Sequence, residues 1–175
     1  SGNNQVAIGI FAGRAITTGS SNVFLGYAAG YNETTGSSSI FIGHEAGKAV
    51  NNAVEQSGEN VIIGHAAAIN RTGGTENVLI GSLVNYIGVG TGDNNVVVGR
   101  YAAARMTSGH TNTIIGHQAM SEITTATENT AVGKNALAST TTGGSNTAVG
   151  TYAGSSQTGA IQNTYVGYAA GQGKS

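Results

Sequence analysis

The chain contains no cysteine, no proline and no tryptophan in 175 residues. Without cysteine there are no disulfides and no thiolate metal sites, and the redox compartment stays open. Charge is scarce too, at 9 % of residues against roughly 25 % in ordinary soluble domains. The seven Lys and Arg residues are scattered along a chain of net charge −1. No basic stripe can follow a phosphate backbone, so nucleic acid is not an expected partner. No apolar run approaches the roughly 20 residues of a membrane span, so membrane insertion is not expected. The ends carry neither a signal-peptide nor a lipidation pattern, and Ser1 reads as the start of a fragment. Low charge accompanies disorder when apolar content is also low; here hydrophobic residues reach 39 % and recur in register, which predicts an ordered chain.

What the chain does have is a repeat. The phrase Asn22-Val23-Phe24-Leu25-Gly26-Tyr27-Ala28-Ala29-Gly30 returns at Asn60–Gly64, Asn112–Gly116 and Asn146–Gly150. The anchoring glycine recurs at Gly9, Gly26, Gly43, Gly64, Gly81, Gly99, Gly116, Gly133, Gly150 and Gly167, spaced by 17 residues except for one interval of 21 and one of 18. Self-similarity at a fixed short period marks a solenoid. The expectation is one elongated repeat domain over 1–175 with no internal linker.

Four positions before the glycine stands Asn in eight copies, with Gln5 and Ser39 as exceptions. Three before it is a β-branched residue, as at Val23, and one before it is always Ile, Leu or Val, as at Leu25. Alternating aliphatic residues bounded by Asn and Gly predict a short strand. The position between them points the other way and is apolar too: Phe24, Phe41, Ile62, Leu79, Val97, Ile114 and Tyr165, with Ala in three copies. Taking the flanking residues as the coil interior leaves this middle column outward, as a candidate face for association with other copies. On that assignment Thr113, Thr130, Thr147 and Thr164 enter the interior and weaken packing in the later half.

Ala stands three residues after the glycine in nine copies, Ala29 among them, which predicts a close approach of the opposite wall. Gly13, Gly30, Gly47, Gly154 and Gly171 follow as turn points. A short strand of small residues and a polar Thr/Ser/Gly return complete the expected unit, with no helix. Stacked coils would bring the Asn side chains into a bonded ladder. The two spacing irregularities map to loops, which makes Asn51, Asn52 and Glu55, and Asn85, Tyr86 and Asp93, candidate binding residues.

The phrases Gln5-Val6-Ala7-Ile8-Gly9 and Asn146-Thr147-Ala148-Val149-Gly150 resemble the head repeats of trimeric autotransporter adhesins. Asn129-Thr130-Ala131-Val132-Gly133-Lys134-Asn135-Ala136-Leu137, with Thr140-Thr141-Thr142-Gly143 after it, looks similar to repeats of phage tail-fibre and large bacterial surface proteins. The resemblance covers nearly the whole chain, although the adhesin unit is shorter. It implies an all-β fold, a left-handed parallel β-roll or β-solenoid of about ten coils that trimerises along its axis. It also implies an extracellular place, on a virion tail fibre or a bacterial surface, with itself and a cell-surface glycan or protein receptor as partners. Handedness cannot be read from the residues.

Other chemistries weigh less. His44, His65 and His117 follow the repeat glycine directly, but the same column holds Ile10, Ser82 and Thr151, which argues against a metal site. Tyr27, Tyr101, Tyr152 and Tyr168 suit packing or sugar stacking. One aliphatic-Gly-x-x-small hexapeptide per unit hints at a left-handed β-helix acyltransferase, but that fold needs three in succession. Threonine-rich faces raise an ice-binding reading, weakened by Thr17-Thr18, Thr107 and Thr124-Thr125 appearing to drift in position. Glu59, Glu76 and Glu128 read as solvated corner charge. No catalytic constellation stands out, so no enzyme and no cofactor is expected.

Overall fold

The computed structural model describes residues 4–50 and 58–173. Each repeat contributes one three-residue strand: β1 (Val6–Ile8), β2 (Val23–Leu25), β3 (Ile40–Ile42), β4 (Val61–Ile63) and β5 (Val78–Ile80), then β6 (Val96–Val98), β7 (Thr113–Ile115), β8 (Thr130–Val132), β9 (Thr147–Val149) and β10 (Thr164–Val166). They form one parallel ten-stranded sheet in sequence order. The register is that of the repeat, with Phe24 opposite Phe41 and Ile114 opposite Ala131. The chain is therefore a β-solenoid of about nine turns, with no helix among the described residues. At about 4.8 Å per strand the nine intervals span roughly 43 Å.

Inter-coil bonding continues around the whole coil. Gly26 N donates back to Ile8 O at 2.8 Å, while Gly30 N donates forward to Ala46 O at 2.9 Å and Thr17 N to Thr34 O at 2.8 Å. After the strand the backbone does not form the second short strand that the small residues suggested. It turns through left-handed residues instead, Ala28 (φ 52°) and Gly30 (φ 58°) in one coil, Ala66 and Ala68 (both φ 50°) in another. Alternate left-handed residues cannot pleat, which explains the difference. The anchoring glycine is required twice over. At Gly81 φ is 140°, and a Cβ there would lie 2.7 Å from the carbonyl oxygen of Gly99 in the next coil.

The interior is set by the asparagines. Asn112 Nδ2 donates to Asn95 Oδ1 at 3.1 Å, to His110 O at 3.1 Å and to Ala126 O at 2.9 Å. Its Oδ1 accepts from Asn129 Nδ2 at 3.1 Å and from Asn129 N at 3.0 Å. The ladder runs unbroken from Asn60 to Asn163. Ser39 Oγ and the Asn22 and Gln5 side chains carry a looser version through the first coils.

An inward Asn fixes the parity of the strand that follows. Two residues on, Phe24, Phe41, Ile62, Leu79, Val97 and Ile114 also point inward and are fully buried, and Tyr165 packs against the same core. The candidate association face thus belongs to the coil interior, and the flanking aliphatics point outward. Thr113, Thr130, Thr147 and Thr164 lie outward with them, so they do not thin the core. The alanines three after the glycine are buried against the strand, from Ala29 to Ala153, with Val84 in the same role.

Candidate interaction face

With Asn inward, alternation sends four side chains of each unit to one outer face: the residues five, three and one before the glycine, and the one after it. In the fourth coil the row reads Glu59, Val61, Ile63, His65; in the eighth, Glu128, Thr130, Val132, Lys134. The two central columns are aliphatic or threonine in all ten coils. Eight of these aliphatics are exposed, from 36 % at Ile40 to 69 % at Val166, with Val6, Ile8, Leu25, Val96, Ile115 and Val149 between, and the others, such as Val61, Ile63, Val78 and Ile80, are half-buried. The result is an apolar strip about two residues wide along the whole sheet. It covers on the order of 300 Å² in plan from strand dimensions alone, the size of the largest patch on a typical monomer, and such patches are often functional. Below β6 its first column changes from Val or Ile to Thr, which keeps the β-branched shape and adds a hydroxyl.

The margins differ in charge. The margin before the strand holds Glu59, Glu76 and Glu128, all exposed and all at a left-handed backbone position (φ 57–58°). The margin after it holds His44, His65, Arg100, His117 and Lys134, also exposed. Neither margin contains a residue of the other kind. Tyr27 and His44 stack at 5.0 Å, and His44 and His65 at 5.4 Å, with interplanar angles of 21° and 23°. Near-parallel imidazoles at the coil pitch direct their nitrogens side by side rather than at a common point, a poor geometry for one ion. Among the described residues no group of three or more His, Asp or Glu is placed to hold a metal.

The tyrosines divide. Tyr27 and Tyr168 lie on the exposed margin, while Tyr101 and Tyr152 occupy left-handed turn positions (φ 57° and 60°). Tyr101 lies under the Arg100 guanidinium at 4.5 Å, and the Lys134 ammonium lies 5.9 Å from the Tyr152 ring. These rings pack along the column.

The proposed loops fare unequally. Asn51, Asn52 and Glu55 lie outside the described residues. Beside that segment, Thr35, Ser37, Ser38, Gly58, Glu59, Thr75 and Glu76 line an open groove of about 380 Å³ on the acidic margin. In the second loop Tyr86 is exposed with Ile87 and Val89, and Asp93 accepts from Thr75 N at 2.7 Å. Asn85 is not a surface residue. It is fully buried, donates to Met106 O at 2.9 Å and Ala103 O at 3.3 Å, and accepts from Arg71. Arg71, only 1 % exposed, fills the coil where Gly74 and Gly90 supply no side chain, and its Nη2 also donates to Gly92 O. Burial lowers its pKa to about 10, opposed by Asp93. Nothing in the periodic pattern marked this plug.

The threonines that appeared to drift are in fact aligned. Thr17 Oγ1 donates to Thr34 O, Thr107 Oγ1 to Thr124 O and Thr124 Oγ1 to Thr141 O, each at 3.0 Å. Counting back from the following glycine, rather than by local neighbours, places them in one column. Each coil carries a single strand, which differs from the three-sided coil that hexapeptide repeats would build. No family model matches the chain, and no curated protein or solved structure is matched by it.

Proposed function

We propose that this chain is a non-enzymatic structural and attachment segment of an extracellular trimeric fibre, on a phage tail or a bacterial surface. The observation that carries the reading is the apolar strip on the outer face of the sheet, two aliphatic columns wide over β1–β6 and one aliphatic beside one Thr column over β7–β10. Its residues have no partner within one thin coil, and leaving them wet forfeits about 25 cal/mol per Å². The partner that matches a row of aliphatics repeated at the coil pitch is a second sheet of the same pitch, another copy of this chain. Three copies closing around one axis cover every strip. Such a rod holds weak contacts to a glycan or protein receptor in threefold register and raises avidity by orders of magnitude. The exposed Tyr86 loop is where we place those contacts. Light scattering on a sizing column tests the assembly. A mass near 52 kDa, three times the chain's 17.4 kDa, is the expected result; a stable 17.4 kDa species would refute it.

A second reading draws on the aligned threonines of the return segment and on the Thr column of β7–β10. Regular hydroxyls on a flat solenoid face suit an ordered water lattice, so a monomeric chain that depresses freezing in a thermal hysteresis assay would replace the fibre with an ice-binding solenoid.

A further inference from the structure

The two margins of the outer face carry opposite charge, Glu59 across from His65 in the fourth coil and Glu128 across from Lys134 in the eighth, and we infer that this polarity selects parallel, in-register association of copies. Glu128 of one copy then meets Lys134 of the next, and Glu59 meets His65. The inference rests on the self-association reading above and specifies its geometry.

The argument is one of symmetry. When copies are related by rotation about an axis parallel to the rods, the margin before the strand on one copy always faces the margin after the strand on its neighbour. This holds for any number of copies. Such a rotation includes no shift along the rod, so each residue meets its neighbour's residue of the same coil. The acidic margin is therefore brought against the basic one at matched levels. An antiparallel pair, made by a twofold axis across the rods, does the opposite. It lays like margin on like margin and sets the eighth coil against the third, so Glu128 faces Ser38 and Lys134 faces His44. It also places the Val/Ile half of the strip on the Thr half. Charges at the rim of an interface contribute little affinity but penalise wrong pairings and fix register. The apolar strip alone cannot do that, because every coil presents nearly the same two side chains.

Within one copy Glu128 and Lys134 stand at opposite ends of an extended segment of six residue steps, roughly 20 Å. A disulfide needs Cα atoms within about 7 Å, so cysteines at these positions can only join different copies. The native chain has no cysteine to interfere. The test is oxidation of an E128C/K134C variant, read on a non-reducing gel beside light-scattering masses of wild type, E128K, K134E and E128K/K134E. Expected are covalent trimers from the double cysteine variant, a tenfold or greater rise in the half-dissociation concentration for each single reversal, and recovery to within about threefold in the double reversal. A trimeric wild type with no cross-link and no effect of E128K would overturn the pairing while leaving the assembly standing, as would efficient cross-linking of S38C/E128C. A monomeric wild type would overturn the assembly itself, and the pairing with it.

Discussion

Phe24 occupies the space that Gly13 leaves empty: a Cβ on that glycine would lie 2.6 Å from the ring's Cδ2. The relation is general along the rod. Gly47 faces Phe41, with the ring carbon 3.1 Å from where a Cβ would stand, and Gly154 faces Tyr165 at 2.7 Å. Where the strand column shrinks to Ala131, the turn column enlarges to Met120 and Leu137, both fully buried. The two columns exchange volume, so the interior stays filled while its residues change. Ala131→Phe alone should cost about 3 kcal/mol by overpacking. The triple variant with Met120→Gly and Leu137→Gly should recover most of that in urea melts. No recovery would mean that the columns do not compensate.

The ladder gives a position-dependent prediction. Asn112 sits between two rungs, and Asn112→Ala strands buried partners on both sides, among them Ala126 O. The loss should be about 3 kcal/mol. Asn163 is the terminal described rung and half-exposed, and among the described residues its side chain bonds to Asn146 and to Ile161 O. Asn163→Ala should lose less than about 1 kcal/mol. Equal losses would contradict the ladder as a cooperative column.

Two glycines should behave oppositely. Gly81→Ala forces a φ of 140° on alanine and drives its Cβ onto Gly99 O, at a cost of at least about 3 kcal/mol. Gly73 has nothing within 4 Å of a Cβ, so Gly73→Ala should be neutral or raise stability by up to about 1 kcal/mol through the unfolded chain. Thermal melts of the pair decide this.

The strand, the anchoring glycine, the buried alanine and the asparagine ladder were all legible in the sequence, because each repeats at a fixed place in the unit. The direction of the strand was not. Val23, Phe24 and Leu25 are all apolar, so alternation alone leaves two equal assignments, and the polar Asn22 looks like a boundary rather than an inward group. Only the carbonyls that Asn22 and its equivalents reach, such as Gly36 O at 2.8 Å, break the tie. The Phe24–Gly13 exchange of volume would have broken it too, had large strand residues been matched against the turn column. Asn85 escaped for a different reason: it belongs to a single coil, and periodicity says nothing about a singular residue.

That singular plug is testable. Arg71→Ala should cost about 2–4 kcal/mol, since it leaves a void and strands Asn85 Oδ1. Replacing the pair by Arg71→Met and Asn85→Ala should come within about 1 kcal/mol of wild type. Desolvation lowers the folded pKa of Arg71 to about 10, well below the ordinary guanidinium value. The burial penalty is thus full below about pH 10 and is relieved as pH rises from there toward the ordinary value. Wild type should gain on the double variant by about 1 kcal/mol between about pH 9 and pH 11. A gap that widens the other way would show that the guanidinium is stabilised by its site.

Every inter-coil bond, from Gly26 N to Ile8 O to the asparagine rungs, runs along the rod and crosses from one coil to the next. Tension applied at the two ends of the chain therefore meets these bonds a few at a time, and a single rod should peel rather than shear. Each coil that lets go frees 17 residues, roughly 58 Å of slack at full extension, and does so at low force. Laterally bound rods must peel together at the same level, so the bundle, and not the coil, would set the strength of the thread.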